Sequence, residues 1–125
     1  MKKKVLIGLT LCLLLTPLLA QPSNQITQAL SKGDINTLSQ FLGDEVALTI
    51  NKESKELSKK DTTEELVAFF SKNKVVSFEM KHQGDRNGSA YLMGELTTSN
   101  GAFRVNCFLK KSDKGLYIHR IRIEK

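Results

Sequence analysis

Three glycine-marked bends, Arg86-Asn87-Gly88, Asn100-Gly101 and Asp113-Lys114-Gly115, divide Val75 to Lys125 into four β-rich segments. Segments joined this tightly must run antiparallel, because parallel neighbours need a crossover of a dozen residues or more. Asn-Gly predicts a two-residue type I′ turn at 100–101, where both residues take positive φ. That turn pairs Ser99 with Ala102, Leu96 with Val105, Gly94 with Cys107 and Leu92 with Leu109. Three-residue loops, with Gly88 and Gly115 in the left-handed position of a bulge, suit the other two bends. The first pairs His82 with Leu92, Met80 with Gly94 and Phe78 with Leu96; the last pairs Leu109 with His119, Cys107 with Ile121 and Val105 with Ile123.

This register sorts the side chains into two faces, and a one-residue slip would send a strand's apolar set to water. One face carries Val76, Phe78, Met80, Leu92, Leu96, Phe103, Val105, Cys107, Leu109, Ile121 and Ile123. The other carries Glu79, Lys81, Glu95, Arg104, Asn106, Arg120, Arg122 and Glu124, with Tyr91, Met93, Phe108 and Ile118 among them. A two-residue Lys114-Gly115 loop would instead drive Arg120 and Arg122 into the core, at the cost of burying charge.

Upstream, Lys2-Lys3-Lys4, the apolar run from Val5 to Leu15 and the small residue at Ala20 read as a signal peptide over 1–20, leaving a single domain at 21–125. The run is too short for the ~20 residues of a membrane span, so no membrane association is expected once the leader is cut. Cys12 lies inside that run behind Leu11, which does not suit a lipid-attachment site. The protein is therefore expected to be exported, periplasmic or secreted. Without the leader lysines, 16 basic residues face 13 acids, which is weak grounds for nucleic-acid binding despite the pI near 9.4 of the whole chain. Cys107 is then the single cysteine and has no intramolecular partner.

Between Gln21 and Asn73, Ser23 and Asp34 each suit a helix cap. Ile26, Ala29 and Leu30 form one apolar stripe ending at Gly33; Ile35, Leu38, Phe41 and Leu42 form a second ending at Gly43. Val46, Leu48 and Ile50 alternate as a strand, and Asn51 to Leu57 reads as a loop or hairpin with a stub strand at 55–57. Ser58 caps the longest helix, whose Leu66, Phe69 and Phe70 are the natural cover for the sheet's dry face. The fold class is α+β: a helical pair, one strand, a longer helix, and a curved antiparallel sheet ending in a four-strand meander.

That element order resembles the nuclear-transport-factor-2-like (cystatin-like cone) superfamily. More closely, Leu66-Val67-Ala68-Phe69-Phe70-Ser71-Lys72-Asn73, then Phe78 and Lys81-His82-Gln83-Gly84, is similar to a family of uncharacterised secreted bacterial proteins. Gly94-Glu95-Leu96-Thr97-Thr98, Phe103-Arg104-Val105 and Ile121-Arg122-Ile123 carry the same resemblance. It implies the cone fold and no assigned activity. Other branches of the superfamily include isomerases and dehydratases, and fold alone does not choose among such functions.

In the expected register His82, Leu92, Leu109 and His119 form one row, which sets the histidines roughly 14 Å apart, too far to share a metal. No metal or cofactor is expected. His82, His119, Tyr117 and Lys111 would rim a pocket for a small apolar ligand, with Met80, Cys107 and Ile121 deeper and Gly94 leaving room. No carboxylate lies on the dry face, so an enzyme of the isomerase or dehydratase type, with a cavity histidine as base, is the second reading. Tyr91, Met93, Glu95, Arg104, Phe108, Ile118, Arg120 and Arg122 form a candidate contact face, suited to a homodimer. The first reading is an exported, non-catalytic binding or interaction domain.

Overall fold

Local caps and one left-handed glycine shape the N-terminal half of the computed structural model, which describes residues 21–125; the expected leader lies outside the described residues. Helix α1 (Gln21–Lys32) buries Ile26, Ala29 and Leu30 and ends where Gly33 turns to φ 65°. Ser23 lies inside the helix, its carbonyl accepting from the Thr27 hydroxyl at 2.8 Å. Asp34 caps α2 (Ile35–Ser39), accepting from the Thr37 hydroxyl at 2.7 Å and the Thr37 N–H at 3.2 Å. These two bonds hold its carboxyl below the usual range.

The second apolar stripe does not stay helical as far as Leu42. Phe41 accepts a hydrogen bond from the Ile118 N–H at 2.6 Å, and strand β1 (Leu42–Ile50) starts beside Ile118. Tertiary pairing overrides the helical spacing. Asn51 and Lys52, at φ 48° and 76°, then turn the backbone into β2 (Glu53–Ser58), a full strand where a stub was expected. Ser58 accepts from the Asp61 N–H at 3.1 Å and starts α3 (Lys59–Lys72).

Strands β3 (Val75–Arg86), β4 (Ser89–Thr98), β5 (Gly101–Ser112) and β6 (Gly115–Glu124) form the expected meander. Strand β6 also pairs in parallel with β1, giving one curved, open, mixed sheet in the order β2-β1-β6-β5-β4-β3. The fold class is the α+β arrangement read from the sequence. Two helices share the dry face: α1 packs on β3 and β4, and α3 packs on β1 and β2. The Phe69 ring also meets Phe103 edge-on, centroids 5.1 Å apart.

The turns differ from expectation in an instructive way. Asn87-Gly88, at φ 48° and 82°, is the two-residue I′ turn, and Arg86 faces Ser89 across it. At the next bend the loop is Ser99-Asn100, with Gly101 at φ 109° closing the hairpin opposite Thr98. The third bend repeats it, with Asp113-Lys114 as the loop and Gly115 at φ 111° opposite Ser112. Both use one hydroxyl in the same way. Thr98 Oγ1 accepts from the Asn100 N–H at 3.0 Å and donates to the Gly101 carbonyl at 2.8 Å; Ser112 Oγ makes the matching pair of bonds with Lys114 and Gly115.

The β4–β5 register is therefore shifted by two residues: Leu96 faces Phe103, Gly94 faces Val105 and Leu92 faces Cys107. A shift of two preserves every face. In the β3–β4 and β5–β6 hairpins the extra residue sits in mid-strand, as bulges at Lys81 and His119, instead of in the loop. Far from the turns the expected pairs hold, including Phe78 with Leu96 and Val105 with Ile123. Nearer the turns they are off by one: His82 faces Met93, and Leu109 faces Ile118 rather than His119. Ile118 is consequently wholly buried, not on the outer face. A further irregularity between Val75 and Ser77 leaves Val76 69% exposed and packs Val75 against the core.

Lys52 holds a left-handed conformation that costs a side-chain-bearing residue about 1 kcal/mol or more. Lys52→Gly is expected to stabilise the domain by about 0.5–1 kcal/mol, a rise of roughly 2–6 °C in Tm. A lowered Tm in a thermal melt would contradict that turn geometry.

Candidate functional site

The sheet's inner face is filled by side chains. A Cβ on Gly94 would run into Phe78 Cζ and lie 2.5 Å from the Glu79 carbonyl oxygen, so the space kept for a ligand holds the Phe78 ring. Leu92, Leu96, Cys107 and Ile121 belong to the buried core, and half-buried Met80 packs against that core. The deeper members of the expected pocket are core residues. Burial pushes the Cys107 thiol up to about 12, leaving it protonated and unreactive.

The rim residues separate. His82, past the Lys81 bulge, is exposed on the outer face beside Met93. Lys111 is exposed near the β3–β4 turn, its Cβ 3.8 Å from where a Cβ on Gly88 would lie. His119 and Tyr117 stay together in an open groove of about 890 Å³ where β1 and β6 part. There the four residues Gly43 to Val46 span the interval opposite His119 alone. The Tyr117 ring lies against Gly43, where an added Cβ would sit 2.5 Å from Cδ2. Asp44, Glu45 and Gln40 line this groove too. The sequence offered no local sign of them, because they arrive through a pairing between strands some seventy residues apart.

The outer face is ordered in three rows across the strands. Tyr91, Phe108 and Arg120 form the first, with the Tyr91 ring lying over Gly84. His82, Met93, Asn106 and Arg122 form the second. Glu79, Glu95, Arg104 and Glu124 form the third. Tyr91 is 44% exposed and Phe108 half-buried, so apolar area interrupts the charge. Arg122 donates to Glu124 at 3.3 Å, while its Nε is covered and unpartnered. A trough of about 400 Å³ crosses this face between Lys81, His82, Met93, Glu95, Arg104 and Glu124.

Two measurements test this geometry. Gly94→Ala must displace a ring or a backbone carbonyl, and is expected to cost about 2–3 kcal/mol, lowering Tm by some 10 °C or more; an unchanged melt would restore the room for a ligand. His119 is held below the ordinary imidazole value of 6.5, first by burial and then by Lys110 and Arg120. The unfolded state therefore takes up this proton more readily, and the contribution of His119 to stability falls as pH drops from 6.5 towards its lowered value. His119→Gln is expected to flatten that part of the denaturation profile; an identical slope would place His119 in free solvent.

The comparisons with known proteins follow the same lines. A family model described as a domain of unknown function, DUF4783, matches residues 23–124. A DUF4783 family protein from Bacteroides ovatus has a crystal structure similar to this chain at 42% identity and TM-score 0.79, over 81% of this chain and 92% of that one. One from Bacteroides uniformis is similar at 41% identity and TM-score 0.80, over 82% and 94%. An NTF2-like protein from Cytophaga hutchinsonii shares the fold at 10% identity and TM-score 0.62, over 86% and 95%. None of the curated proteins matches the chain. With a six-strand sheet carrying α1 and α3 on one face and this match across the domain, the chain belongs to the DUF4783 family of nuclear-transport-factor-2-like fold.

Proposed function

We propose that this domain is an exported, non-catalytic interaction module that binds a second copy of itself through the outer face of its sheet. The complementary order of the first and third rows carries this reading. A two-fold axis lying along the middle row brings the first row of one copy onto the third row of the other. Arg120 then meets Glu124 of the second copy, the Phe108 ring meets its Arg104, and Tyr91 meets its Glu95. These are an ion pair, a cation–π contact and a hydroxyl–carboxylate bond from one operation. The uncovered apolar area of Tyr91, Met93 and Phe108 lies among them, as in the core of an interface.

Export rests on Lys2-Lys3-Lys4 and the apolar run behind it. The filled inner face supports a contact surface over a small apolar ligand. An isomerase-type reaction asks for an acid or base enclosed with its substrate. Here Glu79 and Glu95 stand on the outer face, His82 is exposed, and His119 lines an open groove. The two buried polar side chains among the described residues, Thr62 and Thr98, are tied to the Ser58 and Gly101 carbonyls.

Sedimentation or light scattering over a concentration series is expected to show a dimer that weakens with salt. Arg120→Glu should raise the dissociation constant at least about tenfold, and Glu124→Arg in the same molecule should recover much of it. A monomer at every concentration, or an Arg120→Glu dimer as tight as wild type, would remove this reading.

A further inference from the structure

Asn-Gly occurs twice among the described residues, at 87–88 and 100–101, and the fold treats the two asparagines oppositely. The Asn100 amide Nδ2 donates to the Lys72 carbonyl at 2.8 Å and to Asn73 Oδ1 at 2.9 Å. Asn73 is itself anchored, donating to the Phe69 carbonyl at 2.9 Å. Ser99 and Lys74 exchange two more bonds beside them, so this turn is fastened to the end of α3. Asn87 stands exposed at the tip of the β3–β4 hairpin, and no described residue bonds its side chain.

A glycine after asparagine has no Cβ to keep its nitrogen away from the asparagine Cγ. We propose that Asn87 is a site of spontaneous deamidation and isomerisation, and that Asn100 is held out of the same reaction by its bonds to the end of α3. The Gly88 amide loses its proton to hydroxide, and its nitrogen attacks Cγ of Asn87. The new N–Cγ bond closes a five-membered succinimide, and the Cγ–Nδ2 bond breaks as water protonates Nδ2, releasing ammonia and returning the hydroxide. Water then adds to either ring carbonyl, opening the ring to aspartate or isoaspartate with no change in oxidation state. Both products place a negative charge beside Asp85 and Arg86. Isoaspartate also inserts a methylene into the backbone of a turn whose Gly88 carbonyl accepts from the Lys111 N–H at 2.7 Å. The predicted effect is a hairpin tip that ages while the helix-anchored turn does not.

Peptide mapping by mass spectrometry, after incubation of the intact protein at mildly alkaline pH, reads both sites in one sample. Conversion at Asn87 is expected to run at least about tenfold faster than at Asn100, the factor that about 1.4 kcal/mol represents, roughly the worth of one or two hydrogen bonds. In concentrated urea the two rates should converge to within about twofold, because both sites then share the same Asn-Gly chemistry without the fold. Equal rates in the folded protein would overturn the proposal. So would a ratio that survives in urea, since local sequence rather than the bonds to α3 would then be the cause.

Discussion

Every strand of the meander obeys one constraint: adjacent side chains face opposite ways, so an odd residue out of place exposes an apolar set to water. The bulges at Lys81 and His119 are how this protein meets it. Each gives up ladder bonding worth about 1 kcal/mol, whereas turning Ile121 and Ile123 to solvent would cost about 1.5–3 kcal/mol apiece. The comparison favours a bulge, and the arginines at 120 and 122 stay outside. The sheet's orderly outer rows and its dry inner layer are two results of the same pair of insertions.

The dry layer also limits chemistry. Phe78 occupies the hollow that a missing side chain at Gly94 leaves, and buried Cys107 is a small hydrophobe with its proton held. Polar side chains inside are threonines bonded to nearby carbonyls, as buried hydroxyls must be. Charge is displaced to the outer face and to the break between β1 and β6, where burial and then two cations hold the His119 imidazole below its ordinary value. Two open spaces of the described residues lie there, in the outer trough and the groove at that break.

Much of this was legible in the residues. Alternation from Phe78 to Ile123 identified the buried face, and Gly33, Asp34 and Ser58 marked helix ends with local bonds that the structure shows. The count of extra residues in the outer hairpins was also readable, since a bulge in the loop and a bulge in mid-strand give the same pairing at the far end. Their positions were not. Strand twist and packing choose where an insertion sits, and no spacing in the sequence reports that. Asn100-Gly101 misled because Asn-Gly serves two turn types. Thr98 three residues before Gly101, like Ser112 before Gly115, was the better signal, as a hydroxyl there can bind both ends of the loop. The β1–β6 groove stayed hidden because it is made by distant strands.

Strand β6 lies between β1 and β5, with two strands on one side of it and three on the other. Without Gly115–Glu124 the strands that remain are a lone hairpin and a three-strand ribbon with no pairing between them. A two-strand hairpin is marginal in water on its own. Closure of the sheet therefore depends on a pairing of long sequence separation, that of this ten-residue strand with β1. Until that strand docks, the polypeptide has no complete hydrophobic interior and stays open to whatever holds or threads unfolded protein.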